Sequence, residues 1–160
     1  SLIDLRTVSD ILYMRCTMEK SVFHELSQTL NKSQEYKICL LLQKQKELLE
    51  SDLPIEEMGR MFIVLDNEFH YTLYELAGRK NISLFYGAVN SQYERFRTFI
   101  NLGGKKELEH LYNEHEQIWK CIVDKDMEKL DDCINHHLYD GFNASMKVIR
   151  DYPDYFTTSE

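Results

Sequence analysis

Glycine and proline are scarce in this chain of 160 residues, which contains only 6 Gly and 2 Pro. Because these two residues form turns and end helices, their scarcity argues against an architecture of many short strands. Leu, Glu, Lys, Met and Gln, which favour helices, are plentiful instead. With 43% hydrophobic residues, the chain is long enough for one compact domain with a substantial core. Composition therefore predicts a single all-α domain.

Positive charge is also in short supply. Lys and Arg total 19 against 27 Asp and Glu, which gives a net charge of -8. A surface that binds phosphate backbones carries more basic than acidic side chains, and this chain has no such excess. We therefore do not expect this chain to bind DNA by itself.

Paired cysteines and long apolar runs are absent from the sequence. The four cysteines, Cys16, Cys39, Cys121 and Cys133, show no CxxC spacing, as is typical of buried thiols in a reducing compartment. The longest apolar run, ICLLL at 38–42, is too short to span a bilayer, and residues 1–9 carry no signal-peptide pattern. These features predict a soluble cytoplasmic protein with no membrane partner.

Apolar residues recur at helical spacing along most of the chain, separated by short polar or Gly/Pro breaks. The pattern predicts a first helix or closely joined pair, followed by five further helices, over residues 8–30, 34–49, 54–77, 81–100, 105–123 and 127–149. Short loops between long helices favour an antiparallel bundle of about six helices. Residues from about 151 to 160 are expected to form a peripheral tail.

Three of these predicted helices carry candidate metal ligands. Asp66 and His70 lie four positions apart on the third helix and therefore share one face. His115 lies on the fifth helix and His137 on the sixth, and all four positions border apolar stripes. An aspartate beside a core is costly unless it is paired, and one carboxylate with three imidazoles suits Zn²⁺, Ni²⁺, Mn²⁺ or Fe²⁺. The pattern indicates a divalent metal site without identifying the ion.

Two simpler explanations stay open on the pattern alone. An Asp–His pair one turn apart is commonly a hydrogen-bonded surface pair, and a core histidine more often bonds a carbonyl than a metal. His24, His110 and His136 are not separated by composition from the favoured histidines. The preference for His137 over His136 rests on the apolar residues that precede it at helical spacing.

Longer stretches of the sequence resemble a known family. In DILYMRCTMEKSVFHELSQ at 10–28, Arg15 is followed one turn later by Glu19, as in the opening helix of the family. LDNEFHYTLYELAG at 65–78 matches a D-x-x-F-H-x-x-L pattern that ends in small residues and Gly.

Two further stretches complete the likeness. EHEQIWKCIVDKD at 114–126 is similar to E-H-x-x-I-x-x-A-I-x-x-x-D, with Cys121 in place of the usual Ala. INHHL at 134–138 ends in the H-L of the family, and His137 follows His115 at the separation that the family pattern uses. The family is the FadR-type C-terminal ligand-binding domain, called FCD, of GntR-superfamily bacterial transcription regulators, and the resemblance covers nearly the whole chain.

The resemblance implies both a site and a domain organisation. In the family, the residues that match Asp66, His70, His115 and His137 ligate a divalent metal inside the bundle. Residues 1–160 would form one FCD-like effector-binding domain, which in this family usually forms homodimers. Family members begin with a winged helix-turn-helix domain, and we expect no such domain within residues 1–160. We expect DNA binding only through such a domain, so the chain is either part of a longer regulator or a free-standing sensor.

An open coordination position on the metal would suit the carboxylate of a small organic acid or sugar acid. Arginine side chains would hold the rest of the anion, and the candidates are Arg15, Arg95 and Arg97. For Arg15, an intrahelical pair with Glu19 is an equally good explanation. Arg95 and Arg97 point to different helix faces, so at most one of them should line the cavity.

Two other functions remain as alternatives. A metal-dependent enzyme acting on an organic acid would need a general base, for which Glu114 or Glu116 beside His115 can be considered. No motif places a nucleophile or a second acid, so we predict no catalytic residue and no enzyme. A metal-free helical interaction domain would keep the bundle without the site.

Overall fold

Helices account for most of the computed structural model, which describes residues 2–100 and 104–157. The helices are α1 (Leu5–Thr29), α2 (Lys32–Leu49), α3 (Ile55–Leu76), α4 (Lys80–Val89), α5 (Ser91–Ile100), α6 (Lys105–Asp124), α7 (Met127–Ala144) and α8 (Met146–Asp151). The predicted all-α bundle is confirmed.

Side-chain caps define several helix starts. Asp4 accepts a hydrogen bond from the backbone N–H of Arg6 at the start of α1. Asn31 and Gln34 form a reciprocal capping box at the start of α2. Asp126 accepts a hydrogen bond from the backbone N–H of Lys129 at the start of α7. These side chains satisfy backbone N–H groups that would otherwise lack partners in the first turn of each helix.

Two of the predicted helices are interrupted. The helix predicted over residues 81–100 is divided into α4 and α5 at Asn90, whose side-chain amide bonds the Glu94 carboxylate at 3.3 Å. The helix predicted over 127–149 is divided into α7 and α8 at Ser145, whose hydroxyl donates to the Phe142 carbonyl at 2.5 Å. The Ser145 hydroxyl competes with the helical backbone ladder for a carbonyl, which accounts for the interruption between α7 and α8.

Helix α1 runs through the middle of the bundle and packs against α3, α5, α6 and α7. Helices α2 and α3 pack against each other, as do α6 and α7. Fully buried aromatic side chains fill the space between them, and these are Phe23, Phe62, Phe69 and Phe96. Despite its central position, α1 buries the charged side chains of Arg15 and Glu19, at 3% and 0% exposed.

The two ends of the chain meet at one side of the bundle. Ile3–Asp4 (β1) and Phe156–Thr157 (β2) form a short parallel pair in which Ile3 lies beside Phe156. Phe156 is buried and packs edge-on against Phe99 at 5.3 Å between ring centroids. The region predicted as a peripheral tail is thus anchored up to Thr157, and residues 158–160 lie outside the described part. No helix in the described ranges combines the length and apolarity that a bilayer crossing requires.

Candidate metal centre

The four predicted ligand side chains converge at the centre of the bundle. Helix α3 supplies Asp66 and His70, α6 supplies His115 and α7 supplies His137. One ligand atom from each residue lies within 4.8 Å of the others. Their exposed fractions are 2%, 2%, 0% and 8%, in that order. The surface-pair explanation for Asp66 and His70 is therefore excluded.

The ring nitrogens face one another instead of bonding to the backbone. His70 Nε2 and His137 Nε2 are 3.1 Å apart, and His115 Nε2 is 3.1 Å from Asp66 Oδ1. Ligands that share one ion at about 2.1 Å lie roughly 3.0–3.5 Å from each other. His115 Nε2 is fully buried, yet it has no partner in hydrogen-bond geometry among the described residues. A buried polar atom is costly to leave in this state, and an ion bound among the four residues would satisfy it.

The second nitrogen of each ring contacts a polar side chain from a neighbouring helix. His115 Nδ1 bonds Gln45 Oε1 at 2.8 Å, and His137 Nδ1 bonds Glu114 Oε2 at 2.8 Å. His70 Nδ1 lies 3.1 Å from Glu19 Oε1, although the direction is not that of a hydrogen bond. Partners of this type orient a metal-ligating imidazole and choose its tautomer.

Sequence reasoning missed the roles of Gln45 and Glu19 beside these histidines. Gln45 is completely buried at a position of α2 where the helical pattern of Ile38, Leu41, Leu42 and Leu48 calls for an apolar residue. A polar residue in such a stripe is a detectable signal. Glu19 interrupts the apolar stripe of α1 in the same way. Neither signal, however, identifies which histidine the side chain contacts.

Asp66 is paired with an arginine on its other side. Arg97 Nη2 donates to Asp66 Oδ2 at 2.5 Å, while Arg97 Nη1 donates to Asn67 Oδ1 at 2.8 Å. Burial opposes ionisation of Asp66, but the Arg97 guanidinium and the His115 ring hold the pKa of this carboxyl well below its usual range. Asp66 is therefore an anion that presents Oδ1 to the histidines.

Two of the histidines, His70 and His115, are neutral at physiological pH. Burial lowers the pKa of His70 to about 4 and that of His115 to about 3, in spite of the carboxylates beside them. A neutral imidazole has the free lone pair that a metal ligand needs. The set of one carboxylate and three imidazoles can hold a divalent ion.

Arg15 and Arg97 lie beside these ligands, and Arg95 does not. Arg15 donates through Nε to Glu19 Oε1 at 2.5 Å and through Nη1 to the hydroxyl of Tyr93 at 3.2 Å. The intrahelical pair with Glu19 is thus present, and the same guanidinium also reaches the centre of the bundle. Arg95 is exposed on α5.

A small inner cavity of about 50 Å³ adjoins the ligands. Its polar lining consists of Arg15, Asp66, Tyr93, Arg97 and His137. Leu12, Phe96, Leu138 and Phe142 contribute to its apolar walls. The cavity therefore combines two guanidinium groups with the ligand cluster in a space shielded by apolar side chains.

The remaining histidines lie outside this cluster. His24 Nε2 is 2.7 Å from Asp131, His110 Nε2 is 3.1 Å from Glu114, and His136 Nδ1 is 2.9 Å from Asp140. The structure therefore places His137, and not its neighbour His136, with the other ligands.

Comparison with known families agrees with this arrangement. The model of the FCD domain family matches residues 10–140, which include all four ligand positions. The chain belongs to the FCD domain family, whose members are the ligand-binding regulatory domains of GntR-type regulators. Among curated proteins, no match was found.

We expect purified protein to bind one divalent ion, and the double variant His115→Ala plus His137→Ala to lose it because half of the ligand set is removed. The matched control is His24→Ala plus His136→Ala, which removes two histidines outside the cluster. Metal content after loading and desalting is measured by elemental analysis, with circular dichroism to check folding. Equal metal content in the two double variants would contradict the site.

Proposed function

We propose that this chain is the effector-sensing domain of a GntR/FadR-type transcription regulator, in which a small organic acid binds at a divalent metal. Asp66, His70, His115 and His137 would hold the ion. The observation that carries the proposal is the convergence of these ligands beside a cavity that also contains Arg15 and Arg97.

The charge of the centre supports an anionic effector. The buried cations Arg15 and Arg97 balance the buried anions Glu19 and Asp66. Glu114, which is largely buried against His137, adds one further negative charge. A divalent ion would leave this group with a net charge of about +1, because two cationic and three anionic side chains surround it. One carboxylate would neutralise the site.

The arginines would contribute differently from the metal ligands. When bound, the ion supplies an electrophile to which a carboxylate oxygen can coordinate. Arg97 is held in place by Asp66 and Asn67, and Arg15 by Glu19 and Tyr93, so both guanidinium groups are oriented before the acid arrives. Preorganised guanidinium groups bind planar carboxylates well. They would orient the acid in the cavity.

The enzyme alternative loses its proposed base in this geometry. Glu114 contacts His137 through Oε2 and His110 through Oε1, at 2.8 Å and 3.1 Å. Glu116 accepts a hydrogen bond from the Tyr112 hydroxyl at 2.5 Å on the exposed side of α6. Both carboxylates are thus engaged away from the inner cavity, which favours a sensor over a catalyst.

We expect a carboxylate that fits the inner cavity to raise the melting temperature of the metal-loaded protein by roughly 5–10 °C at a hundredfold excess over its Kd. Acetate and a panel of larger organic and sugar acids serve as probes, with chelator-treated protein as reference.

Arg97→Lys keeps the charge beside Asp66 but loses the guanidinium fork, so acid affinity should fall roughly 10- to 100-fold. Arg95→Lys is the matched control on the same helix. If no acid in the panel stabilises the metal-loaded protein, the sensor proposal is wrong.

In the cytoplasm, the proposed domain would control the DNA binding of an attached winged helix-turn-helix domain. In a dimer, the spacing of two such domains determines whether they reach two half-sites together. An acid that binds one conformation of the bundle better than another would shift this spacing. A full-length regulator should therefore change its operator affinity when the acid is added, as measured by fluorescence anisotropy. Unchanged affinity at saturating acid would contradict this mode of regulation.

An exposed apolar patch on α3 and α4 is our candidate for the homodimer interface. We define the patch by the exposed side chains of Met61, Val64, Leu84, Phe85 and Val89, of which Phe85 is 74% exposed. Val64 and Leu84 line one surface groove between the two helices. Clustered apolar side chains on a surface of this kind usually mark an association site. An isologous contact between two copies would cover the patch.

We expect Phe85→Glu to weaken dimerisation at least about tenfold, because the carboxylate would be buried in an apolar contact. Tyr36→Glu is the matched control, since Tyr36 is 65% exposed on α2 and outside the patch. Sedimentation equilibrium gives the dissociation constants. An unchanged constant for Phe85→Glu would place the interface elsewhere.

A further inference from the structure

The inner cavity adjoins a larger pocket between α6 and α7, with which it shares lining residues. We call this pocket, of about 450 Å³, the outer chamber. Four residues line both spaces and form the neck between them, and these are Ile100, Leu111, His137 and Gly141. The proposed metal ligand His137 therefore has one side on each space.

The two volumes differ in what they can hold. The inner cavity has a volume of about 50 Å³, which suits a group of a few atoms such as a carboxylate. The outer chamber, at about 450 Å³, lies in the range of roughly 300–1,000 Å³ that is usual for small-molecule sites. An acid whose carboxylate reaches the inner cavity would therefore place the rest of its body in the outer chamber.

The outer chamber has an apolar part and an acidic part. Leu111, Ala144 and Val148 supply apolar surface against which a short carbon chain can pack. The ionisable residues of its lining, His137 of the neck apart, are Lys106, Glu107, His110, Glu114 and Asp140, and Glu114 is paired with His110 and His137. The chamber thus has three carboxylates and one lysine, whereas the inner cavity has two arginines and one carboxylate.

This difference in charge has a direct consequence for ligand choice. A second carboxylate at the far end of an acid would meet like charges at Glu107 and Asp140, and like-charge contacts oppose binding. A hydroxyl or ammonium group at the same place would find carboxylate acceptors. The chamber is therefore suited to hydrogen-bond donors.

We propose that the outer chamber selects the effector, and that it favours a monocarboxylate whose far end is a hydroxyl or ammonium group over a dicarboxylate of the same length. The inference rests on the proposed function, because it assumes that a carboxylate occupies the inner cavity. It adds the chemical class of the remainder of the effector and assigns the α6–α7 pocket to its recognition.

A series of six-carbon acids tests the proposal with the metal-loaded protein. Hexanoate, 6-hydroxyhexanoate, 6-aminohexanoate and adipate differ only in the group at the far end, and acetate reports on the inner cavity alone. We expect 6-aminohexanoate and 6-hydroxyhexanoate to bind roughly 3- to 10-fold more tightly than adipate by calorimetry, the size expected for partly exposed charge contacts. Equal or tighter binding of adipate would overturn the proposal.

A charge reversal in the chamber sharpens the test. Asp140→Lys should shift the preference from 6-aminohexanoate towards adipate, because it replaces an acceptor with a cation. Asp132→Lys makes the same charge change on an exposed position of α7 that does not line the chamber. An identical shift in both variants would indicate a general charge effect and would overturn the assignment of the chamber.

The neck offers a steric test. A Cβ atom added at Gly141 would meet no heavy atom within 4 Å, so a side chain can be introduced there without displacing the backbone. Gly141→Leu should weaken 6-aminohexanoate about tenfold or more, and by a larger factor than it weakens acetate, because its side chain would narrow the neck; Gly141→Ala should have a smaller effect. Equal losses for acetate and 6-aminohexanoate would overturn the proposed placement of the acid across the neck.

Acetate distinguishes a failure of the selectivity inference from a failure of the proposed function. If acetate binds and the six-carbon acids show no preference, the outer chamber does not select and only this inference fails. If neither acetate nor any six-carbon acid binds the metal-loaded protein, the proposed function fails and this inference fails with it.

Discussion

An ionised carboxylate buried among apolar helices must be compensated, and the interior of this bundle is arranged around that requirement at Asp66. Its carboxylate is 2% exposed and receives the Arg97 guanidinium on one oxygen, while the other oxygen faces His115. A charge so deep in a protein would be strongly destabilising without such partners. The polar centre is therefore a single connected unit and not a set of separate surface pairs.

Compensation at Asp66 involves α1, α2 and α5 in addition to the helices that carry the candidate ligands. Helix α1 contributes Glu19 to His70, α2 contributes Gln45 to His115, and α5 contributes Arg97 to Asp66 itself. Because each contact joins two helices, the polar centre restrains how they pack. Any ligand bound at the centre would act on the same contacts, which is the physical basis for expecting a sensor to report on occupancy.

In the proposed site, the centre and the outer chamber would divide recognition between opposite charges. Guanidinium groups and the proposed ion would attract a carboxylate, whereas the carboxylates around the α6–α7 pocket would favour donors at its other end. Such a division would let the metal centre bind the carboxylate of many acids while the outer chamber selects among them. Substitutions of chamber residues other than His137 would leave the candidate ligands in place. FCD domains would then share a metal centre and differ in the pocket beside it.

Much of this architecture was predictable from the sequence. Sparse Gly and Pro and a helical apolar period predicted the all-α bundle. The apolar faces together with the resemblance to the FCD family predicted Asp66, His70, His115 and His137 as the candidate ligands. Helical period specifies which face of a helix a residue occupies. The helical period was sufficient to place the four candidate ligands, because their side chains all face the same core.

Only the tertiary structure decided how these faces meet. It paired Gln45 with His115 and Glu114 with His137, placed Arg97 rather than Arg95 beside Asp66, and opened a chamber at Gly141. These features depend on the rotation of each helix about its axis and on its offset along its neighbour, which follow from the packing of all side chains together. No local pattern contains that information, so the ligand residues are evident in the sequence whereas their partners and the shape of the pocket are not.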